Sequence, residues 1–359
     1  MLAKALAVTG FLLGGWPLLA PAQADWKSDW ERTLAAARKE GAVTVSASSS
    51  ELLRQVLMEF ERDHPGIRVL YTSANGRDFW SRVEKEREVG RYLWDLRIGG
   101  VSAQAYEAKD RGFLDPIRPL LALPEVADDG KWSGGIHRLF ADRDKKYAMR
   151  FTGALFASVV VNRDVVPEKD FKTPRDLLDP RWQGRIVLQD PRAGGGAGSY
   201  ALAGFLLQYG EPFVRELLSR QKPIISDNKR QMAEWVIRNR YPIAIGMGTD
   251  TLPQFQQQGL GKNVRVVPGD DITGDVVLLI NKAPNPNAAK AYVNWLLSRK
   301  TQGRLAQVAE LNSRRTDVKP GDPESALDLR RVGHYLDVSD EEHVEARNKV
   351  RKLAKELLK

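Results

Sequence analysis

Four glycines, Gly194, Gly195, Gly196 and Gly198, fall within five positions between an apolar run at residues 186–188 and a second one opening near Ser199. Without a Cβ, such a backbone bends sharply and lets a ligand come close. A helix starting directly behind the turn offers unpaired N–H groups and the positive end of its dipole. Strand, glycine turn and helix start together suit an anion, with Gly195, Gly196, Gly198 and Ser199 as candidate contacts. The plainer reading of the same residues is a flexible connection capped by Ser199. A P-loop is excluded, because no Lys–Ser/Thr pair follows the glycines. Gly196, Gly198 and Ala201 fit only a loose dinucleotide pattern, mid-chain, with no clear βαβ unit or ribose-binding acid after it.

Other residues suited to a small anion lie elsewhere. Ser48 and Ser49 belong to a serine run that follows a short strand at residues 43–45. They either cap the next helix, Ser48 with Glu51 as a capping box, or present hydroxyls and amides to a ligand. Arg77 follows the Asn75-Gly76 turn and is either a surface charge or an anion contact. Asp250 either caps a helix at residues 252–258 or accepts from a ligand amine or hydroxyl. The four histidines, His64, His137, His334 and His343, show no metal-ligand spacing, and the chain has no cysteine. There is no Gly-x-Ser-x-Gly elbow and no His-Glu-x-x-His helix. The expectation is therefore a binding protein without catalytic residues, bound metal or cofactor.

The elements that position these residues alternate. Strands expected at residues 43–45, 67–71 and 94–98 are each followed by a helix, at 52–60, 77–90 and 102–111. That alternation predicts an α/β fold with a parallel sheet, and ligands of such sheets sit outside the carboxyl ends of the strands. The loops there are residues 46–50, 73–77 and 99–101. Further strands are expected at 157–161, 243–246, 264–267 and 275–280, helices at 212–220, 229–238, 287–299 and 300–309, and a last charged helix from about 340.

The first residues read as a cleavable signal peptide: Lys4, an apolar stretch at residues 5–20, and the small-x-small site Ala22-Gln23-Ala24. Cleavage after Ala24 would deliver a mature protein to a periplasm without a membrane anchor. The net charge of +9 is spread among acidic residues, as in Glu84-Lys85-Glu86-Arg87-Glu88, which describes solvated helix faces rather than a nucleic-acid surface. A general positive field still favours capture of small anions.

The run from Val277 to Ser298, with its Pro284-Asn285-Pro286 turn and Trp295-Leu296-Leu297-Ser298 phrase ahead of Gln302-Gly303, resembles the solute-binding proteins of bacterial ABC importers. It is similar to the branch that includes ferric-ion-binding proteins. Val160-Val161-Asn162-Arg163-Asp164 with Pro167 resembles that family's crossing strand, and Thr173-Pro174 and Trp182-Gln183-Gly184-Arg185-Ile186 its entry into the second lobe. The resemblance implies a two-lobed, type II periplasmic-binding-protein-like α/β fold with a hinge and an interlobe cleft. It divides the chain into a signal peptide (1–24), lobe 1 (25–156 and 264–359) and lobe 2 (157–263). It also implies a polar ligand contact near Thr152, a monomer, and an inner-membrane ABC permease as partner; an exported sensor would have the same sequence features. The ferric branch places a His after the first strand and an adjacent Tyr pair after the strand that here ends at Gly246. This chain has Ser48-Ser49-Ser50 and Met247-Gly248-Thr249-Asp250 instead. Ferric iron is a hard cation needing anionic or imidazole ligands. The expected ligand is accordingly a small organic anion: a phosphate ester, phosphonate or carboxylate. Ferric ion or a ferric chelate is the alternative. A two-lobed transferase or hydrolase is another, although a transferase of the porphobilinogen deaminase kind would need a cysteine.

Overall fold

The computed structural model describes residues 26–192, 196–248, 252–331 and 333–358. The signal-peptide reading therefore lies outside the described residues. The first lobe opens with α1 (Trp26–Glu40), β1 (Ala42–Ala47), α2 (Glu51–Met58), the single turn α3 (Phe60–Asp63), β2 (Arg68–Ser73), α4 (Gly76–Glu88), β3 (Leu96–Gly100), α5 (Ala103–Asp110), β4 (Leu114–Asp115) and α6 (Pro124–Ala127). After β5 (Met149–Arg150) and β6 (Ala154–Leu155) come β7 (Val159–Asn162), β8 (Ile186–Gln189), α7 (Ala197–Tyr209), α8 (Glu211–Ser219), β9 (Ile224–Ser226), α9 (Lys229–Ile237), β10 (Ile243–Ile245), α10 (Leu252–Gln256) and β11 (Val264–Val266). The chain returns through β12 (Asp271–Thr273) to β13 (Asp275–Ile280), α11 (Pro286–Leu297) and α12 (Arg299–Ala309), then passes β14 (Leu336–Asp337) into α13 (Val344–Leu357).

The first sheet has the order β2-β1-β3-β13-β4, with β5 also on β13. β1 runs parallel to β2 and β3, as the strand–helix alternation predicts, while β13 enters antiparallel beside β3. Because strand order reverses at β1, the carboxyl ends of β1, β2 and β3 open onto one crevice. The second sheet has the order β11-β7-β10-β8-β9, with β8, β9 and β10 parallel. Its central strands, such as β10 with Ile243, Ala244 and Ile245 at 0 % exposure, are covered on both faces and so read as unbroken apolar runs.

Between the lobes lies a small sheet, β14-β12-β6, through which the chain passes three times. Two segments change the domain limits expected from the sequence, β11 before the second passage and α13 after the third. Val264–Val266 pairs with β7 of the second lobe. Val350, Leu353 and Ala354 of α13 belong to the second lobe's core with Leu202 and Val214. Residues 264–266 and 344–357 thus pack with lobe 2 rather than lobe 1, because the apolar stripe of α13 fits against α7 and α8. The foot of that helix stays tied to lobe 1: Glu341 pairs with Lys109 (2.9 Å) and accepts from the Arg143 amide (2.8 Å).

Asp271 sits in the hinge sheet, accepting from Ser158 Oγ (2.8 Å) and Gln208 Nε2 (2.6 Å). Burial pushes its carboxyl up to about 6; these two hydrogen bonds oppose the rise, and the nearby Asp270 and Asp337 add to it. The folded protein therefore holds this proton more tightly than an unfolded chain, whose carboxyl titrates near 3.8. Stability from this group is complete below pH 4 and is lost as pH rises through about 6. Asp271→Asn should remove that dependence. Urea unfolding from pH 4 to pH 7 should show the variant gaining on wild type by on the order of 2–3 kcal/mol. Parallel stability curves would contradict it.

Candidate ligand site between the lobes

The crevice at the carboxyl ends of β1, β2 and β3 is the mouth of a cavity of ≈ 550 Å³, within the range that holds a small organic ligand. On the first lobe it is lined by Ser48 and Ser49 after β1, by Asn75, Gly76 and Arg77 at the start of α4, and by Gly100, Val101 and Ser102 after β3. Arg97 reaches it from within β3. Facing them are Ser199 and Tyr200 in the first turn of α7, and Arg347, Asn348 and Arg351 on α13. Four arginines thus line the cavity against one acid, Asp78, whose carboxylate accepts from Asn75 Nδ2 (2.7 Å). The N-termini of α4, α5 and α7 add the positive ends of their dipoles.

Arg97 is the buried member, 3 % exposed. Its Nη1 donates to Ser46 Oγ (3.2 Å), and its guanidinium lies over the Phe79 ring, 5.3 Å from the centroid. Burial pulls it down to about 10 against the opposing influence of Asp275 and Tyr71, so it stays cationic at neutral pH. Two donors on the walls have no partner among the described residues. Ser102, at the N-cap position of α5, makes no capping bond, and its Oγ is buried without a hydrogen bond. Arg347 Nη1 donates to the carbonyls of Val338 and Asp340, but its Nη2 is buried and unpaired. Buried donors are nearly always satisfied, and each orphan costs roughly 1–3 kcal/mol, so an acceptor arriving in the cavity would relieve both.

The structure brings together Ser48, Ser49, Arg77 and Ser199 of the candidate residues. Ser49 Oγ also pairs with Ser73 Oγ (2.8 Å). Gly99, with φ +137°, leaves room that any Cβ would take from Ser48 Oγ. The helix cap expected at Ser48 is made by Ser50, whose side chain accepts from the Leu53 amide, which leaves Ser48 to the cavity. Ser199 is not a cap either: the N-cap is Gly196, and Ser199 Oγ donates to the Gly196 carbonyl (2.8 Å).

Three candidates stand elsewhere. Thr152 is buried by the hinge, its Oγ1 accepting from the Asp275 amide (2.8 Å), and does not line the cavity. The Gly198 amide is taken by Gln189 Oε1 (2.8 Å), and a Cβ there would collide with the Gln189 carbonyl. Gly198 therefore serves close packing of α7 on β8. Gly196 is also off the cavity lining, and a Cβ there would meet the Gln189 side chain. Gly195 and Asp250 lie outside the described residues.

Arg97, Ser102, Tyr200, Arg347 and Arg351 are cavity residues that the sequence reading missed. For Arg97 the signal was faint: a charge between Leu96 and Ile98, in an expected strand that also carries Asp95. Arg347 and Arg351 are four apart and so share one helix face, but they read as part of a solvated charged helix.

The donor set does not suit a bare metal cation. Among the described residues no group of three or more His, Cys, Asp or Glu is gathered so as to hold a metal ion. Tyr200, the phenol on the wall, is pushed above its ordinary value by burial, although Arg347 beside it draws it down.

Comparisons with known proteins agree with this architecture. Residues 107–330 match the family described as bacterial extracellular solute-binding protein, and the chain belongs to that family. A comparison with curated proteins gave no match. Among solved structures, the chain is similar to a ferric binding protein from Campylobacter jejuni, at 17 % identity over 88 % of this chain and 99 % of that one, with a TM-score of 0.66. A Trichodesmium protein (IdiA, FutA) in complex with iron and citrate ligands matches at 15 % identity over 88 % and 99 % of the two chains, with a TM-score of 0.67. An ABC transporter protein from Clostridium perfringens matches at 14 % identity over 88 % and 100 %, with a TM-score of 0.69. At these identities the likeness shows the fold, a two-lobed binding-protein architecture.

Proposed function

We propose that this protein is the periplasmic solute-binding subunit of an ABC importer, that it captures a small oxyanion in the interlobe cleft, and that it hands the anion to a membrane permease. The observation that carries the reading is the cavity itself, with four arginines against one acid and two buried donors lacking partners. Guanidinium groups, hydroxyls and helix N-termini are complementary to carboxylate or phosphate oxygens. They repel an uncoordinated cation.

A second reading has its own support. Two of the similar structures above are a ferric binding protein and a protein in complex with iron and citrate, which favours iron, the alternative drawn from the sequence. The two readings meet if iron enters as an anionic ferric chelate. The arginines would then hold the chelator's carboxylates, and the metal would need few ligands from the protein.

Titration calorimetry separates the cases. Citrate, phosphate and ferric citrate should be tried against a ferric salt delivered from nitrilotriacetate. The expected result is binding of at least one anion, with affinity falling as salt is raised. No visible tyrosinate-to-iron band should appear with the ferric donor. Such a band without binding of any anion would overturn the proposal in favour of direct iron ligation.

A further inference from the structure

The cationic residues form two walls on different elements. Arg77 and Arg97, with Ser48, Ser49 and Ser102, belong to the first lobe, whereas Arg347 and Arg351 project from α13. The α13 wall is joined to both lobes. The helix packs on the second lobe through Val350, Leu353 and Ala354. Its foot is held to the first lobe by Glu341 with Lys109. The Arg347 guanidinium lies 5.7 Å from the Tyr200 ring centroid, and Tyr200 Oη donates across the cleft to the Val101 carbonyl (3.4 Å). Arg347 Nη2 is buried without a partner among the described residues. No acid on α13 lines the cavity beside these two arginines.

Resting on the oxyanion reading, we infer that α13 is a ligand-binding element and that the ligand carries at least two separate anionic groups, one for each wall. A single anionic group reaches the guanidiniums of one wall and leaves the other pair facing it across the cleft; as the lobes close and water leaves, those like charges repel more strongly than in water. A di- or tricarboxylate or a bisphosphate neutralises both. It also ties the first lobe to a helix seated on the second, which couples ligand charge to closure of the cleft.

The test uses two graded series, acetate, succinate and citrate, and phosphate and pyrophosphate, titrated into the full protein and three variants. Arg351 is exposed and, among the described residues, its side chain donates to Asn348 Oδ1 (3.0 Å), so Arg351→Gln should fold as wild type does. Arg347→Lys keeps the charge and loses the fork, while Arg97→Gln probes the opposite wall. In a series that binds, the member with more anionic groups should bind more tightly. Arg351→Gln should weaken that member about tenfold or more and leave the single-group member within about twofold. If Arg97→Gln weakens citrate or pyrophosphate while Arg351→Gln and Arg347→Lys bind it as wild type does, α13 is no part of the site and only this inference falls. Equal weakening of single- and multi-group members by Arg351→Gln would mean a general field and would likewise overturn it. If no member of either series binds the wild type, the oxyanion reading and this inference fall together.

Discussion

Arg97→Met will lose ligand binding by roughly a hundredfold while folding nearly as wild type does. Arg97 lies on β3, between Ser46 of β1 and Leu278 of β13, where its neighbours Leu96 and Ile98 are fully buried. A guanidinium at 3 % exposure has given up its water and, among the described residues, received the Ser46 hydroxyl, the Phe79 ring face and the fields of Asp275 and Tyr71 in return. A buried charge replaced by an apolar side chain of similar volume is often neutral or stabilising. One cost opposes that. Burial already raises the Asp275 carboxyl, and Arg97 is the group that holds it down. Without Arg97 this acid should move further up and protonate, which limits the damage. The ligand has no such escape, because losing a charge-assisted hydrogen bond in a closed, dry cleft leaves its oxygen desolvated and unpaired. Thermal melting and calorimetry on one preparation read both halves. Unchanged affinity would remove Arg97 from the site; loss of cooperative unfolding would make it a structural residue.

Gly198→Ala will strike the fold instead. A Cβ at this position would collide with the Gln189 carbonyl oxygen and lie 2.9 Å from its carbon, both backbone atoms of β8 that cannot swing aside. On the other flank Gly246, at φ +69°, packs so close that its own added Cβ would collide with the Gly198 backbone. Two glycines in contact let α7 sit directly on β8 and β10, which sets the height of Ser199 and Tyr200 above the cavity. Overpacking here should cost roughly 1–3 kcal/mol or more. Gly196→Ala is the control. Its φ of −89° suits any residue, and its Cβ would meet the Gln189 side chain, with Oε1 at 3.1 Å, rather than backbone, so the cost is limited to a small shift of that side chain against its bond to the Gly198 amide. Denaturant midpoints should fall clearly for Gly198→Ala and little for Gly196→Ala; the reverse order would put the tight contact in the wrong place.

These two residues also show what the sequence made legible. The crevice was readable, because Ser48, Asn75-Gly76 and Gly99-Gly100 each end an apolar strand and begin a helix. Such boundaries mark the carboxyl edge of a parallel sheet. The glycine turn was readable as a place of close approach, but the partner in that approach was not. At Gly198 it is the protein's own strand rather than a ligand. Arg97 was hidden because burial of a charge is decided by what covers the strand, and β13, which does so, comes from nearly two hundred residues further on. α13 was hidden for the same reason. Its stripe of Val350, Leu353 and Ala354 specifies an apolar partner but not which lobe supplies it. Thr152, placed by family resemblance, went to the hinge because Ser313 and Asp275 claim its backbone and side chain.

Native mass spectrometry of protein recovered from its native cells, never refolded, tests the central claim most directly. The account predicts a one-to-one adduct with a small anion carrying two or more acidic groups, with or without chelated iron, that is released as salt is raised. Protein that carries a single iron atom with no accompanying organic or phosphate anion, and shows a visible tyrosinate band, would contradict it.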